Sequence, residues 1–167
     1  MEPVYVETTI NDRLIRINKN DSMDVWYWRD WIKTPNWVKS KIQLSIDKKS
    51  GYKKYKLKLN KKHYILSRVV YKAYNPDWDI SDTGYNNLID HINNNSLDNR
   101  IENLRILTKK QNQWNTNAKG YTWHKYNKKW SAQLMVSGKY KFIGYFTEES
   151  DARNAYLEAK EKYHIIA

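Results

Sequence analysis

The sequence contains no cysteine, and this absence excludes several kinds of site at once. Disulfides, thiol nucleophiles and cysteine-ligated zinc are ruled out, so any metal must be held by oxygen and imidazole ligands. No apolar run approaches the ~20 residues that a membrane-spanning helix needs. Residues 1–9 also lack a basic region followed by a hydrophobic one, as a secretory signal would have. We therefore expect a cytoplasmic protein without membrane contact.

Acidic residues and phenylalanine are both scarce. The chain has 18 Asp and Glu against 30 Lys and Arg, which gives a net charge of +12, and it has 2 Phe against 14 Tyr and 8 Trp. A field of that sign attracts polyanions and favours nucleic acid as a partner, although solubility alone is the simpler explanation of the charge. Tyr and Trp rings can stack on bases, but they also fill small cores.

The first 74 residues give structure but little chemistry. The run from Asp24 to Ile32 fits either a strand or a helix edge, and Pro35 ends it. In residues 51–66, apolar and polar side chains alternate in two runs on either side of a polar break, which predicts a basic hairpin. Each of its lysines is as easily explained by solvation as by contact with phosphate. Residues 67–74 predict a short amphipathic helix, whose apolar positions are 69, 70, 73 and 74.

The residues after Leu88 carry the candidate chemistry. They predict strand, loop, strand and helix, with Thr108 as the helix N-cap. Because side chains alternate along a strand, adjacent Asp90 and His91 should point in different directions, so that one can bind a metal while the other faces a substrate. Asn112 lies one turn into the helix, where its amide oxygen can turn back toward Asp90. Two hard oxygen ligands suit Mg²⁺ in phosphodiester chemistry.

The motifs Asp90-His91, Asn103-Leu104-Arg105 and Asn112 resemble those of the HNH endonucleases, especially the bacteriophage and intron-encoded homing type. The resemblance covers about residues 51–117 and implies a ββα-metal nuclease finger. By this resemblance His91 is the general base that activates water and Asn103 orients its imidazole. Asp90 and Asn112 bind one Mg²⁺ or Mn²⁺ ion.

Other residues of this segment have less specific expectations. Arg68 is expected to contact DNA. Arg105, Lys109 and Lys110 are expected to clamp phosphates, although a solvated helix face explains the two lysines nearly as well. A small core of the finger itself is expected from four apolar side chains, namely Leu97, Ile101, Leu104 and Ile106.

The C-terminal residues predict three strands over 120–145, with turns at 126–128 and 137–138, and a helix over 148–162 capped by Thr147. They resemble the plant ethylene-response-factor (APETALA-type) DNA-binding domain, whose sheet lies in the major groove. The implied DNA contacts are Trp123, Lys125, Trp130, Gln133, Lys139 and Lys141. Trp130 is equally well explained as a core ring, and Lys139 and Lys141 as solvated side chains. Gln133 and Met135 depart from the family's usual Glu and Arg, so the plant sequence preference is not expected.

The predicted fold is α+β: a region of unclear role (1–50), a nuclease domain (51–118) with the basic hairpin before the finger, and a sheet-plus-helix DNA-binding domain (119–167). The predicted function is metal-dependent cleavage of double-stranded DNA in the host cytoplasm, with one ion per site. One ion and one base are compatible with nicking, and no obligate protein partner is expected for the monomer or dimer. The alternatives are a non-catalytic sequence-specific DNA-binding regulator and a basic RNA-binding protein.

Overall fold

The computed structural model describes residues 2–30, 33–115 and 118–165, which form two compact units, Met1–Thr108 and Lys109–Ala167. Across these residues the chain forms four small antiparallel sheets, three α-helices and one short 3₁₀ helix. The mixed α and β composition agrees with the predicted class. None of the helices in the described part of the chain is long and apolar enough to cross a membrane.

The first unit opens with a four-stranded sheet that runs in chain order. Its strands are β1 (Tyr5–Ile10), β2 (Arg13–Asn18), β3 (Asp21–Arg29) and β4 (Asn36–Lys39). The β1–β2 turn places Asn11 and Asp12 at positive φ, which asparagine and aspartate tolerate better than most residues. The run that began at Asp24 is therefore a strand as far as Arg29, and residues 31 and 32 lie outside the described residues.

The basic hairpin and the helix after it are confirmed. The second sheet contains β5 (Ile42–Ile46), β6 (Lys53–Leu59) and β7 (Lys62–Ile65). The predicted polar break is the β6–β7 turn, where Asn60 and Lys61 have positive φ. Helix α1 (Leu66–Tyr74) follows directly and buries Val69, Val70 and Ala73, the face that the spacing predicted.

The hydrophobic core of the first unit is continuous from the N-terminal sheet to the nuclease segment. Its buried members are Ile10, Ile15, Ile17, Val25, Leu57, Leu59, Leu66, Val69, Val70, Ala73 and Leu104. The expectation of a separate small core is therefore wrong: Leu104 belongs to this shared core, Ile101 packs against it, and Leu97 and Ile106 are only half-buried. Burying each large aliphatic side chain contributes roughly 1.5–3 kcal/mol, so residues 1–50 stabilise the segment that follows them.

The segment with the candidate chemistry has the predicted order of elements. Strand β8 (Leu88–His91) pairs with β9 (Leu104–Leu107), and a 3₁₀ turn (Ile101–Asn103) leads into β9. Helix α2 (Lys109–Trp114) comes next in the chain and belongs to the second unit.

The second unit also contains the predicted three-stranded sheet and helix. The sheet has the order β10 (Tyr121–His124), β11 (Lys129–Val136) and β12 (Lys139–Phe146), and α3 (Glu149–Tyr163) packs on one face of it. The prediction of Thr147 as N-cap is wrong: Glu148 is the cap residue, and it makes no side-chain cap hydrogen bond. Acidic Glu149 and Asp151 do occupy the first turn, where they favour the helix dipole.

The packing of α3 requires a glycine before β10. Buried Tyr156 of α3 lies against Gly120, whose φ is +68°. A Cβ atom at position 120 would overlap the Tyr156 ring, so both the backbone conformation and the close approach need glycine here.

Candidate active site

Asp90 and His91 end strand β8 and point to opposite sides of the β8–β9 ribbon. Asp90 is paired with Arg105 in the register and His91 with buried Leu104, so the alternation expected from the sequence is present. Both side chains are largely enclosed, since Asp90 is 7% and His91 8% exposed. Polar groups this deeply placed need hydrogen-bond or ionic partners.

The imidazole of His91 meets a carboxamide that the sequence did not single out. Nε2 lies 3.2 Å from Oδ1 of Asn99, which is 3% exposed. The Nδ2 group of Asn99 donates to the Leu97 carbonyl at 3.1 Å, so Oδ1 is the acceptor that faces the ring. With this orientation of the amide, a neutral imidazole donates through Nε2 to Asn99.

Asn103, expected to orient the imidazole, instead closes the loop that follows β8. Its Nδ2 donates to Asn93 Oδ1 at 3.0 Å and to the Asp98 carbonyl at 2.8 Å, while its Oδ1 accepts from the Asn93 N–H at 3.0 Å. The carboxamide thus fixes the residue that precedes Asn99. Any effect of Asn103 on His91 runs through this loop.

An ion pair strengthens the same loop. Arg100 donates through two nitrogens to the two carboxylate oxygens of Asp98, each at 2.8 Å, and Asn93 donates to the same carboxylate at 2.9 Å. The bonded Arg100 guanidinium lowers the pKa of Asp98 to about 2. The loop also contacts the basic hairpin, because Ser96 Oγ donates to the Lys53 carbonyl at 2.6 Å.

Asp90 forms a salt bridge with Arg105, which is cross-strand from it. Arg105 Nε lies 2.9 Å from Asp90 Oδ2. The contact that the structure gives this arginine is therefore with a candidate metal ligand, and its phosphate contact stays a prediction. The sequence pattern did not indicate that Asp90, an expected metal ligand, and Arg105, an expected phosphate contact, would form an ion pair with each other.

The donor set has the chemistry of a hard divalent cation. Asp90 offers a carboxylate and Asn112 a carboxamide oxygen, and Mg²⁺ commonly uses one or two such protein ligands and completes its shell with water and phosphate oxygens. Within residues 2–30, 33–115 and 118–165, no group of three or more His, Asp or Glu side chains offers a fuller metal cage. Each of these two donors is of a type that an ion only partly held by protein uses.

Comparison with known families assigns this part of the chain. Residues 64–114 match the HNH endonuclease family. The matched residues, which we call the HNH segment, run from β7 through α1, β8 and β9 to α2. They include Asp90, His91, Asn103 and Asn112, so the match indicates a nuclease of the HNH type.

One curated relative is a phage protein. The chain is 34% identical over 59 residues to Protein 3.8 of Escherichia phage T7, an alignment that covers 30% of this chain and 49% of that protein. The chain thus spans about half the length of this relative. No solved structure matches the chain.

Arg68, at the start of the HNH segment, is held inward by backbone carbonyls. Its guanidinium donates to the carbonyls of Asn87, Ile80 and Asp82 at 3.3, 2.7 and 2.6 Å, and it lies 4.6 Å from the centre of the Trp78 ring. Burial lowers the pKa of this guanidinium. These contacts hold the loop that leads into β8, so the geometry gives no support to the expected DNA contact of Arg68.

Helix α2 carries the remaining expected residues of the HNH segment. Asn112 is half-buried, and Lys109 and Lys110 are exposed. Lys110 Nζ lies 5.4 Å from the Trp114 ring centre, an ordinary contact of one helix face. The phosphate contacts of both lysines stay predictions.

The six expected DNA contacts of the second unit do not lie on one face of its sheet. Trp123, Trp130 and Lys141 lie on the face that carries buried Ala132 and Leu134, which is the side of α3, and Lys139 shares that face by register. Lys141 Nζ is 4.8 Å from the ring of Tyr163 in α3. Gln133 lies on the opposite face, and Lys125 is in the turn after β10.

Proposed function

We propose that this chain is a metal-dependent DNA endonuclease of the HNH homing type. One observation carries the proposal: within the HNH segment, Asp90 and His91 end one strand, and the imidazole lies 3.2 Å from the carboxamide oxygen of buried Asn99. An imidazole base and a hard-ion ligand are the two kinds of group that phosphodiester hydrolysis requires.

In this mechanism Nδ1 of His91 takes a proton from the attacking water. Asn99 keeps Nε2 protonated, so that the basic nitrogen is always Nδ1. Asn103 and the Asp98–Arg100 pair act one step further away, because they fix the loop on which Asn99 lies. We therefore assign Asn99 and Asn103 as positioning residues and His91 as the catalytic residue.

Asp90 and Asn112 would hold one Mg²⁺ or Mn²⁺ ion. When bound, such an ion stabilises the charge that develops on the phosphate and on the departing 3′ oxygen. Arg105, already beside Asp90, would keep a positive charge next to that phosphate. A single base and a single ion suffice for cutting one strand.

Double-stranded DNA is the proposed substrate, and the host cytoplasm the proposed location. We retain the domain division 51–118 for cleavage and 119–167 for DNA binding as part of this proposal. A tethered DNA-binding domain would raise the effective concentration of the nuclease domain at its substrate. No obligate protein partner is invoked.

Plasmid cleavage tests the proposal. With Mg²⁺, the wild-type chain should convert supercoiled plasmid to nicked or linear DNA, and EDTA should prevent it. His91→Ala should lower the rate by about 10²- to 10⁴-fold, the contribution typical of a general base. The matched control is His63→Ala, because His63 is exposed on β7 outside this site. Equal cleavage by wild type and His91→Ala would refute the assignment.

A second candidate function is DNA binding without cleavage, the regulator alternative. It is favoured by one observation, namely that Asp90 is enclosed and paired with Arg105 while His91 is only 8% exposed. This candidate requires tight, salt-dependent binding of DNA and no strand breaks with either Mg²⁺ or Mn²⁺. The plasmid experiment therefore decides between the two candidates.

A further inference from the structure

The sheet of the second unit has a face turned away from α3, which we call the outer face. Alternation along β11 places Gln133 and Met135 on it, while Ala132 and Leu134 are buried beneath α3. Register then adds Phe142 opposite Gln133, Tyr140 opposite Met135, and Tyr145 opposite Ser131. Three rings of one strand thus share the outer face.

These rings are exposed to an extent that a small core does not explain. Tyr140 is 68%, Phe142 55% and Tyr145 41% exposed. The rings of Phe142 and Tyr145 lie 5.0 Å apart at 60°, and His124 continues the row 5.3 Å from Tyr145. A contiguous exposed aromatic row marks a binding surface.

The acidic residues of this unit are confined to α3 and the residue before it. Residues 118–147 contain six lysines and no Asp or Glu, whereas all five carboxylates of residues 109–167 lie between 148 and 161, at the start of α3 or within it. Lys129, paired with His124, lies at one end of the outer face, and Lys125 and Lys128 are in the adjoining turn. The aromatic row therefore ends at a cluster of positive charge, which suits a polyanion.

The outer face is poorly equipped to read a duplex. Base edges in the major groove are read mainly by Arg, Lys, Asn and Gln, and the outer face of β11 and β12 offers two such side chains, Gln133 and, at one end, Lys129. Residues 118–147 contain no arginine. Exposed rings instead present flat apolar surface, and in a duplex the faces of the bases are already stacked on each other. Unpaired bases offer the complementary surface.

A cavity extends the same surface toward α2. It has a volume of about 470 Å³, and its walls include Gln133, Met135 and Tyr140 of the outer face, Leu134 and Tyr156 from the side of α3, and Lys110 and Trp114 of α2. This volume lies in the range of sites that enclose a small ligand, and aromatic residues with a lysine suit a base and its phosphate. The cavity thus continues the row toward the helix that carries Asn112.

We propose that the outer face and this cavity bind single-stranded DNA, with unpaired bases stacked on Tyr140, Phe142 and Tyr145 and phosphates near Lys125, Lys128 and Lys129. The inference deepens the proposed function and rests on DNA being the substrate. The second unit would bind a DNA strand that is already unpaired, such as one exposed beside a nick, and would not enter the major groove of a duplex.

Binding by the full chain in EDTA tests this without any need for cleavage. Fluorescence anisotropy would compare labelled oligo-dT of about 15 nucleotides with a duplex of equal length. Tyr140→Ala and Phe142→Ala should each weaken oligo-dT binding about tenfold, while Tyr140→Phe, which keeps the ring, should bind as wild type does. The matched control is Leu157→Ala, an exposed apolar side chain of α3, which should not change binding.

Crosslinking of the wild-type chain adds a measurement that does not depend on variants. Photocrosslinking to an oligonucleotide with 5-iodo-deoxyuridine should mark the β12 peptide. Unchanged binding by both alanine variants, equal weakening in Leu157→Ala, tighter binding of the duplex, or tighter binding of oligo-rU would each overturn the proposal. If the chain cleaves plasmid but does not bind oligo-dT, only the single-strand binding proposal is refuted. If it binds oligo-dT but does not cleave plasmid, only the nuclease proposal is refuted.

Discussion

Substituting Asn99 should alter both the rate and the pH dependence of DNA cleavage. Asn99→Leu keeps the approximate volume but removes the acceptor 3.2 Å from His91 Nε2, leaving a buried N–H without that partner. Such a loss costs about 1–3 kcal/mol, which corresponds to a cleavage rate about 5- to 150-fold lower. Asn99→Leu also removes the hydrogen bond from Nδ2 to the Leu97 carbonyl, so the melting temperature of the variant is measured alongside its rate.

Asn99→Asp tests the proposed tautomer of His91 more directly than Asn99→Leu does. The carboxylate still accepts the hydrogen bond, so the tautomer is kept, but its charge favours the protonated, non-basic form of His91. The rising limb of the pH–rate profile should therefore move to higher pH, by about one to three pH units. At alkaline pH the variant should approach the wild-type rate, which a merely structural defect would not allow.

The assay is the initial rate of plasmid nicking with Mg²⁺, measured between about pH 6 and pH 9.5. Asn154→Leu and Asn154→Asp are matched controls, since Asn154 is exposed on α3. If Asn99→Leu cuts at the wild-type rate while His91→Ala is inactive, the positioning role is wrong. If Asn99→Asp leaves the profile in place, the tautomer assignment is wrong.

Two further predictions concern stability. Gly120→Ala should lower the free energy of unfolding of the second unit by about 2–4 kcal/mol, because the new Cβ would overlap the buried Tyr156 ring and alanine disfavours a positive φ. Gly138→Ala, with φ +81° and open space around it, should lower it by only about 1 kcal/mol. Similar melting temperatures for the two variants would contradict this. The pKa of Asp98 is lowered to about 2 in the folded chain from about 3.9 in the unfolded chain. The ionised carboxylate therefore stabilises the fold by about 1 kcal/mol after solvent screening, and this contribution is present above pH 4 and lost as the pH falls toward 2. Asp98→Asn should flatten urea-unfolding stability over that pH range, with Asp77→Asn as the control for the lost charge, and an unchanged acid slope would count against the Arg100 ion pair.

The sequence predicted those elements that have a strong local signal. Alternation around a polar break gave the β6–β7 hairpin, and apolar spacing gave α1 and α3. Strand β3 could not be distinguished from a helix edge because both of its faces carry apolar side chains: Trp26 and Trp28 lie on the face opposite Val25 and Tyr27. A strand with apolar groups on both faces has no period of two to detect.

The sequence indicated which residues belong to the candidate site, but it did not indicate which of them contact each other. A motif spacing can indicate Asp90 and His91, yet it carries no information on which of several asparagines in the loop reaches the imidazole. Asn99 has no mark that separates it from Asn93 or Asn95, and only the closed loop brings its Oδ1 to Nε2. The ion pair of Asp90 with Arg105 likewise depends on cross-strand register, which the sequence does not specify.

The three rings on β12 owe their common orientation to one surplus residue. Ala132 is opposite Gly144 and Gln133 is opposite Phe142, so Ile143 has no counterpart on β11. In an unbroken ladder, positions 142 and 145 would point to opposite sides, because they are an odd number of residues apart. Deleting Ile143 would therefore remove the bulge and leave positions 142 and 145 two residues apart, so the three rings would stay on the outer face, whereas pairing Ile143 into the ladder would turn either Tyr145 or the pair Tyr140 and Phe142 toward α3.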